Sequence, residues 1–218
     1  MNQKKFFLKI GGSLIRSKEP DILRNLLNKL NLLSDNFKLI LLAGGGESAN
    51  LIRSFDKNLN LTTTNAHFSA IAAMEQNSYI LQNLLPKAKP LREIITLAKS
   101  NLIIFYPYQY FISKDPLPHS WDVTSDSIAL HLSQKLNIEN LILVKNVDGA
   151  YLNINSKTAK PLNKITKKEL ANSKVVDSYF TKFSNFPKHC WLVNGHNPKR
   201  IEKILKGQQT IASKVILD

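Results

Sequence analysis

The stretch Lys5–Ser13, which reads KFFLKIGGS, decides the fold of this chain of 218 residues. The bulky apolar run Lys5–Ile10 predicts a buried strand, and Gly11 and Gly12 predict a tight turn directly after it. Backbone N–H groups in such a turn can approach an anion, and Lys9 lies where its ammonium group can reach a phosphate oxygen. The spacing matches neither the P-loop nor the dinucleotide-binding glycine pattern, and a plain strand–helix turn fits this stretch equally well.

Outward from this stretch, apolar strand-like runs alternate with segments of helical periodicity. Further strands are predicted at Lys38–Ala43, Leu102–Pro107, Asn140–Val144, up to Val193–Gly195, and at Thr210–Leu217; helices are predicted at Asp21–Leu33, Glu47–Phe55, Thr64–Leu84, Ser125–Leu136 and Pro198–Leu205. In the long helix Thr64–Leu84 the side chains expected to face inward are Ala66, Ile71, Met74, Tyr79, Ile80 and Leu84. This alternation is typical of a parallel sheet covered by helices, in which ligands bind at the carboxyl ends of the strands.

Composition excludes several classes of protein. Apolar residues make up 43% of the chain, and the longest apolar runs fall far short of the roughly 20 residues that a membrane helix needs. We identify no signal peptide, and the single cysteine, Cys190, excludes an internal disulfide and a cysteine-based zinc site. We therefore expect a cytoplasmic protein.

The net charge of +14 has two interpretations. A basic surface can bind nucleic acid, but the lysines are scattered and form no long run, so we expect no nucleic-acid partner. Attraction of phosphorylated small molecules fits the charge better.

A second glycine turn, Gly44-Gly45-Gly46, follows the strand Lys38–Ala43. Three consecutive glycines remove side chains, so a ligand can lie directly on the backbone, although a flexible turn is the simpler alternative. Two glycine turns after two strands of one sheet make a ligand site the better interpretation.

Two acidic residues, Asp122 and Asp126, stand four positions apart at the predicted start of a helix. One helical turn would place them on the same side, where a carboxylate can orient lysines or magnesium beside a phosphate site. Ser125 or the preceding threonine is the expected helix cap. His119 is either a polar substrate contact or an ordinary loop histidine.

The segment Lys145–Tyr151, KNVDGAY, follows another buried strand. Lys145 at the strand end is expected to face the same edge of the sheet as Lys9. The Asp-Gly pair at Asp148 and Gly149 is by itself an ordinary turn signal. The other histidines, His67, His131, His189 and His196, have no metal-ligand spacing in the sequence.

Taken together, these motifs resemble those of the amino-acid kinase superfamily, which includes aspartokinase, acetylglutamate kinase and uridylate kinase. Five segments match in the family's order: Lys9-Ile10-Gly11-Gly12-Ser13, Gly44-Gly45-Gly46, Asp122 to Asp126, Lys145 to Tyr151, and Val193-Asn194-Gly195 with the closing Gly207 to Thr210. The resemblance implies a three-layer αβα sandwich with an open, mainly parallel sheet, in a single domain over residues 1–218. It also implies an acceptor-binding lobe at about residues 1–120 and a nucleotide-binding lobe at about residues 121–218.

The resemblance further implies ATP as phosphoryl donor, with Mg²⁺ carried by ATP and no direct protein ligand. The catalytic residues it implies are Lys9, Asp126 and Lys145. The residues it implies for nucleotide binding are Gly11, Gly12, Ser13, Lys145, Asp148, Gly149 and Tyr151, and those for the acceptor are Gly44, Gly45, Gly46, His119, Asp122 and Ser125. Within this set Gly11, Gly12 and Gly45 would offer backbone N–H groups to phosphate. Family members are commonly dimers or hexamers, so a homo-oligomer is expected.

The string Leu117–Asp126, LPHSWDVTSD, is most similar to a small branch of the superfamily that converts an aminomethylfuran phosphate to its diphosphate for methanofuran-type one-carbon carriers. Two features depart from the superfamily pattern. Asp122 stands where asparagine is usual, and the glycine-rich segment with a second phosphate-binding lysine is replaced by VVDSYFTKF at Val175–Phe183. Lys182 or Lys145 is expected to take the place of that lysine.

Two alternatives follow from these departures. In the first, the chain is a kinase of another small acceptor, namely UMP, isopentenyl phosphate or an amino acid. In the second, it is a non-catalytic nucleotide- or oxyanion-binding protein on the same fold.

Overall fold

The computed structural model describes residues 3–16, 18–94, 99–151 and 160–216. In these residues the strands are β1 (Lys5–Ile10), β2 (Lys38–Ala43), β3 (Lys89–Leu91), β4 (Leu102–Phe105), β5 (Asn140–Lys145), β6 (Lys164–Thr166), β7 (His189–Asn194) and β8 (Ser213–Ile216). They form one sheet in the order β3-β4-β2-β1-β5-β7-β8-β6. Every neighbouring pair is parallel except β7 and β8, which are antiparallel.

Helices cover both faces of this sheet. They are α1 (Pro20–Leu33), α2 (Gly46–Leu59), α3 (Thr63–Leu84), α4 (Pro107–Lys114), α5 (Ser125–Lys135), α6 (Lys167–Ser173) and α7 (Pro198–Leu205), with short 3-10 turns at Gly12–Leu14 and Phe180–Lys182. Apolar side chains of α1 and α7 pack on one face, and those of α4, α5 and α6 pack on the other. The predicted three-layer αβα sandwich is confirmed.

Strand β1 shows why the core divides into two layers. Its side chains alternate between the faces of the sheet, so Phe6, Leu8 and Ile10 lie in the cluster with α1, while Phe7 lies in the cluster with α5. By the same alternation Lys9 lies on the α5 face. The position of Lys9 in the strand therefore decides which helix can contact it.

The chain reverses its direction across the sheet at β1. After β1 it continues to β2 and to the edge strand β3, places β4 between these two, and then returns to place β5 on the other side of β1. In an open parallel sheet a ligand crevice forms where the strand order reverses, at the carboxyl ends of the strands. The turns after β1, β2 and β5 meet at this point.

The structure adds elements where the sequence pattern is weak. The short strands β3 and β6 and the helices α4 and α6 were not predicted. Proline was expected only to end the strand at Pro107, yet Pro107 begins α4, which fits the preference of proline for a first helical turn. The expected final strand at Thr210–Leu217 is observed over Ser213–Ile216, and Leu217 lies outside the described residues.

The prediction for α3 is wrong at two positions. Ala66, Ile71 and Met74 are buried as expected, but Tyr79 is 55% exposed and Ile80 is 41% exposed. The helix buries polar Asn77 and Ser78 instead, because both donate hydrogen bonds to backbone carbonyls of neighbouring segments. None of the described helices combines the length and apolar character needed to cross a lipid bilayer.

Candidate active site

A cavity of about 1280 Å³ opens at the carboxyl ends of β1, β2 and β5. It is larger than the roughly 300–1,000 Å³ typical of a pocket for one small ligand. Its walls come from both halves of the sheet, with Gly45 and His67 on one side and Lys145 and Gly149 on the other. The geometry suits two ligands placed end to end between the halves.

The two glycine turns contact each other through their backbones. A Cβ atom on Gly12 would overlap the backbone nitrogen of Gly46, and one on Gly44 would lie 2.6 Å from the nitrogen of Gly12. Asn77, buried on α3, fixes the second turn by donating to the carbonyl groups of Gly44, at 2.7 Å, and Gly45, at 3.0 Å. The glycines are therefore needed for the approach of the two turns, in addition to any ligand.

The amino terminus of α2 faces this junction. Helix α2 begins at Gly46, and no side chain caps it. The first N–H groups of a helix have no partner within the helix, and the helix dipole favours an anion there. Gly45 and Gly46 both line the cavity, so this helix end is suited to a phosphate group.

Three of the predicted residues form a buried ion cluster on the floor of the cavity. The carboxylate of Asp126, on the first turn of α5, lies 2.9 Å from the ammonium group of Lys9 through one oxygen and contacts that of Lys145 through the other. Lys145 also donates to the carbonyl oxygen of Val175 at 2.7 Å. An ammonium group has three N–H donors. Lys145 therefore keeps one donor beyond these two bonds. Lys9 approaches Asp126 as an ion pair without hydrogen-bond geometry, so at least two of its donors remain.

The electrostatics of the cluster keep the carboxylate ionised. Burial would raise the pKa of Asp126, but the ammonium groups of Lys145 and Lys9 bring it down to about 2. Burial lowers the pKa of Lys145, and Asp126 opposes that change. Two lysines and one carboxylate carry one excess positive charge among these three residues, and the nearby Asp177 also acts to raise the pKa of Lys145.

The predicted cap of α5 is wrong. Thr124 occupies the N-cap position without a side-chain capping bond. Asp177, from the segment that follows α6, replaces it: its carboxylate accepts hydrogen bonds from the N–H groups of Thr124, at 3.1 Å, and Ser127, at 3.0 Å, and from both of their hydroxyl groups. Burial and the nearby Asp126 raise the pKa of Asp177, whereas these hydrogen bonds lower it.

The prediction that one helical turn aligns Asp122 with Asp126 also needs correction. Helix α5 begins only at Ser125, so Asp122 precedes the helix and is not one turn from Asp126. Asp122 is exposed in the cavity wall, and Ser125 and Asp126 line the same wall. All three reach the cavity, but Asp122 does so from a loop.

Three other predicted residues are engaged by the protein. The N–H of Gly11 donates to the carbonyl of Val144 at 2.8 Å, and the N–H of Gly44 donates to that of Ile10 at 2.8 Å. Neither N–H is available to a ligand, and Gly44 is not part of the cavity wall. Asp148 is likewise outside the wall, and it pairs with Arg200 and accepts a hydrogen bond from Asn194 at 2.9 Å. The remaining predicted residues that line the cavity are Gly11, Gly12, Ser13, Gly45, Gly46, His119, Gly149 and Tyr151.

The end of the cavity away from β5 combines aromatic and acidic side chains. The indole N–H of Trp121 donates to Asp56 at 2.6 Å, and the guanidinium of Arg53 lies 4.2 Å from the centre of the Trp121 ring. His119 lies nearby and accepts or donates one hydrogen bond with Thr64 at 2.9 Å. No local pattern in the sequence indicates the roles of Trp121, Asp56 and Arg53, because the partners lie about 65 residues apart.

The segment that replaces the family's glycine-rich stretch supplies several contacts. It provides Asp177 as the cap of α5 and the carbonyl of Val175 for Lys145. The exposed Lys174, which ends α6, lines the cavity, whereas Lys182 is not part of the wall and lies 5.8 Å from the ring of Tyr179. Sequence analysis missed Lys174, although its place directly before Val175 was a usable signal.

Comparisons with known proteins relate the chain to kinases. The family model described as the amino acid kinase family matches residues 4–193. A curated protein of Methanocaldococcus jannaschii, [5-(aminomethyl)furan-3-yl]methyl phosphate kinase, is 30% identical over 217 residues, which cover 96% of each chain.

Solved structures of similar fold are kinases of UMP. The uridylate kinase of Archaeoglobus fulgidus matches with a TM-score of 0.76 at 20% identity, covering 97% of this chain and 100% of that one. The UMP kinase of Ureaplasma parvum matches with a TM-score of 0.72 at 18% identity, covering 99% of each chain. At these identities the likeness shows the fold.

The order of motifs along the chain, the open parallel sheet and the family match over residues 4–193 lead to one conclusion. The chain belongs to the amino acid kinase family and is an ATP-dependent small-molecule kinase.

Proposed function

We propose that this kinase transfers the γ-phosphoryl group of ATP to the phosphate of an aminomethylfuran phosphate and so forms the diphosphate. The reaction would serve the synthesis of a methanofuran-type one-carbon carrier. The observation that carries the proposal is the buried cluster of Lys9, Asp126 and Lys145 at the convergence of β1, β5 and α5. The relative from Methanocaldococcus jannaschii supports the choice of acceptor.

The cluster suits stabilisation of a moving phosphoryl group. In the transfer, the bond between the γ-phosphorus and the bridging oxygen breaks, and an oxygen of the acceptor phosphate forms the new bond. Charge on the transferred group is met by the free donors of Lys9 and Lys145, which Asp126 holds in place. The N–H groups at the start of α2 add donors from the other side.

Magnesium fits this site as a companion of ATP. Both oxygens of Asp126 contact lysines, and Asp177 caps α5, so neither buried carboxylate is free to bind a cation. Mg²⁺ held by the triphosphate would neutralise part of its charge. The role of the missing second lysine was predicted for Lys182 or Lys145, and we propose that Lys145 performs it together with Lys174, which lines the cavity.

A phosphate acceptor explains the absence of an evident general base in the cluster. With a pKa of about 2, Asp126 is too weakly basic to remove a proton from a hydroxyl group near neutral pH. A phosphate monoester has a second pKa near about 6 and is already ionised at pH 7. Its oxygen can attack without help from a base.

The other end of the cavity suits an aromatic ring with a cationic arm. The guanidinium of Arg53 already covers one face of the Trp121 ring, and Asp56 accepts from its indole N–H. The exposed carboxylate of Asp122, in the same wall, is therefore better placed to meet a cationic ligand group. An aminomethyl group is an ammonium ion at neutral pH, and a carboxylate or an aromatic face would stabilise it. UMP carries no such cation.

We also propose that the kinase acts as a homo-oligomer in the cytoplasm.

The test is product formation from a panel of acceptors. Wild-type protein with Mg²⁺ and ATP is expected to release ADP with the aminomethylfuran phosphate, and phosphorus NMR should show a new diphosphate. UMP, isopentenyl phosphate and the dephosphorylated furan alcohol should give background rates. The variant Lys9→Met should lose about 100-fold or more in kcat, whereas Lys203→Met, at an exposed position of α7, should match the wild type.

Other results would reject the proposal. Turnover of UMP in preference to the furan would assign a different acceptor. ATP binding seen by calorimetry, with ADP release at background for every acceptor, would instead indicate a non-catalytic nucleotide-binding protein.

A further inference from the structure

Two histidines and an aspartate meet beside the acceptor end of the cavity. His67 lies on the first turns of α3, Asp115 ends α4, and His119 lies in the loop before α5. One nitrogen or oxygen atom from each side chain lies within 4.8 Å of the other two. No spacing in the sequence links His67 to the other two, so only the fold brings the three together.

His67 has an unsatisfied polar atom. The residue is only 6% exposed, and its Nε2 atom has no hydrogen-bond partner. A buried polar atom without a partner is costly, and native structures usually satisfy it through a protein group, a water or an ion. The imidazole rings of His67 and His119 are stacked with centroids 4.6 Å apart, so the unsatisfied polar group belongs to a residue of the cluster.

His119 has the hydrogen-bond pattern of a positioned metal ligand. Its Nδ1 atom bonds to the hydroxyl of Thr64 at 2.9 Å, and its Nε2 atom bonds to Asp115 at 2.7 Å. Metal-binding histidines commonly hold one nitrogen through an outer partner and present the other to the ion. Here Thr64 is that outer partner, and an ion would replace the proton shared by Nε2 and Asp115.

The donor set selects the class of cation. Two imidazole nitrogens and one carboxylate oxygen suit Zn²⁺ or a similar divalent transition metal, whereas Mg²⁺ and Ca²⁺ prefer oxygen alone. Metal–ligand distances near 2.0–2.2 Å place tetrahedral ligands roughly 3.3 Å apart. The three atoms are already within 4.8 Å, so modest side-chain rotation would close the site.

We propose that His67, Asp115 and His119 bind a divalent transition-metal ion of the Zn²⁺ type. His67 and His119 line the cavity while Asp115 lies outside its wall, so the fourth coordination position of such an ion would be open to the cavity. A phosphate or other anionic oxygen of the acceptor, or a water molecule, would fill that position. This site is separate from the Mg²⁺ that accompanies ATP, and it does not depend on which acceptor the kinase uses.

Metal binding by the full chain, without ATP or acceptor, tests this directly. Chelator-treated wild-type protein is titrated with Zn²⁺ by calorimetry, and with Co²⁺ by absorption, which distinguishes tetrahedral from octahedral coordination. We expect about one ion per chain, a tetrahedral Co²⁺ spectrum, and an increase in melting temperature with Zn²⁺ but not with Mg²⁺.

Variants separate the site from background binding. Asp115→Asn and His119→Gln change residues that are not buried, and each should weaken Zn²⁺ binding at least 10-fold. His67→Asn tests the buried ligand, with circular dichroism to verify folding. His196→Gln removes an exposed histidine from the other half of the molecule, and it should bind like the wild type.

Three outcomes would overturn the proposal. The first is a wild-type protein that binds Zn²⁺ no more tightly than folded His119→Gln. The second is a His196→Gln variant that loses as much affinity for Zn²⁺ as the cluster variants do. The third is an octahedral Co²⁺ spectrum.

Discussion

At the scale of single residues, Asp126 controls the charge of the site. It is 3% exposed and holds two ammonium groups that would otherwise repel each other. Removing one partner of a buried ionic cluster leaves the others uncompensated, and the cost is typically about 3–5 kcal/mol. Asp126 is thus as important for the arrangement of the lysines as the lysines are for the phosphate.

The low pKa of Asp126 predicts a specific acid sensitivity. Its folded pKa of about 2 lies below the ordinary value of 3.8, so the ionised form stabilises the fold. This contribution is fully present above pH 3.8 and is lost as the pH falls through 2. Compared with Asp126→Asn, the wild type should lose about 2 kcal/mol of its stability advantage between pH 5 and pH 2.

Urea unfolding at a series of pH values measures this difference. The exposed Asp35→Asn serves as control and should run parallel to the wild type over the same range. A constant gap between wild type and Asp126→Asn from pH 5 to pH 2 would show that the carboxylate is not held by the lysines.

At the scale of elements, α5 is held at its first turn by a carboxylate from elsewhere in the chain. Asp177 also accepts the N–H of Phe180 at 2.9 Å, so it joins the 3-10 turn Phe180–Lys182 to α5. This contact replaces the local cap that a serine or threonine would provide. Because α5 carries Asp126, the cap also fixes the position of Asp126 relative to Lys9 and Lys145.

The variant Asp177→Asn should therefore affect both stability and activity. An amide can accept at one atom only, so at least one buried N–H loses its charged partner, at a cost of roughly 1–3 kcal/mol. We expect kcat to fall as the free energy of unfolding falls, because Lys145 and Asp126 lose their fixed spacing.

Glu169→Gln provides the matched control. Glu169 completes the capping box of α6 with Thr166, so this variant also removes a capping carboxylate, but outside the cavity wall. It should lower stability and leave kcat unchanged. Equal kcat in both variants, at equal folded fraction, would contradict the link between Asp177 and the ion cluster.

At the scale of the whole molecule, the net charge of the chain differs from the mixed charge of the cavity wall. The chain carries +14 overall, yet the wall of the cavity includes acidic Asp56, Asp122 and Glu19 among its lysines and arginines. The field that attracts anionic substrates therefore comes largely from the rest of the surface, while the cavity discriminates between their ends.

Ionic strength should then affect capture more than chemistry. Raising the salt shortens the screening length from about 10 Å at 0.1 M towards 3 Å at 1 M. We expect kcat/KM for ATP to fall several-fold between these limits, with a smaller change in kcat, because the buried pairs of Lys9 and Lys145 with Asp126 are little screened. Steady-state assays at varied ATP and constant free Mg²⁺, with a neutral osmolyte as control, measure both kcat and kcat/KM. A fall confined to kcat would contradict this origin.

Much of the fold was readable from the sequence. The strand–glycine–helix order around Lys5–Ser13 and Lys38–Gly46 depends on local properties, namely apolar composition, periodicity and the conformational freedom of glycine. The same holds for the position of Lys9 and Lys145 at strand ends, because parallel strands present their carboxyl ends at one edge. These features predicted a parallel sheet covered by helices and placed Lys9 and Lys145 at one edge of it, whereas the family resemblance implied the αβα sandwich and the role of Asp126.

The remaining features depend on contacts between residues far apart in the chain. Asp177 caps α5 from about 50 residues away, and Asn77 fixes the glycine turn from 33 residues away. Neither leaves a periodic or compositional signal, which is also why Gly11, Gly44 and Asp148 could not be recognised as already engaged.

The opening stretch by itself determined a buried strand, a glycine turn and a lysine placed for an anion, because local sterics and burial suffice to specify them. Only the tertiary structure decided why Gly12 must be glycine, which is the close approach of the turn after β2. It alone paired Lys9 with Asp126 and brought His67 to His119. Such pairings are set by how helices pack on the sheet, and the packing depends on the whole chain at once.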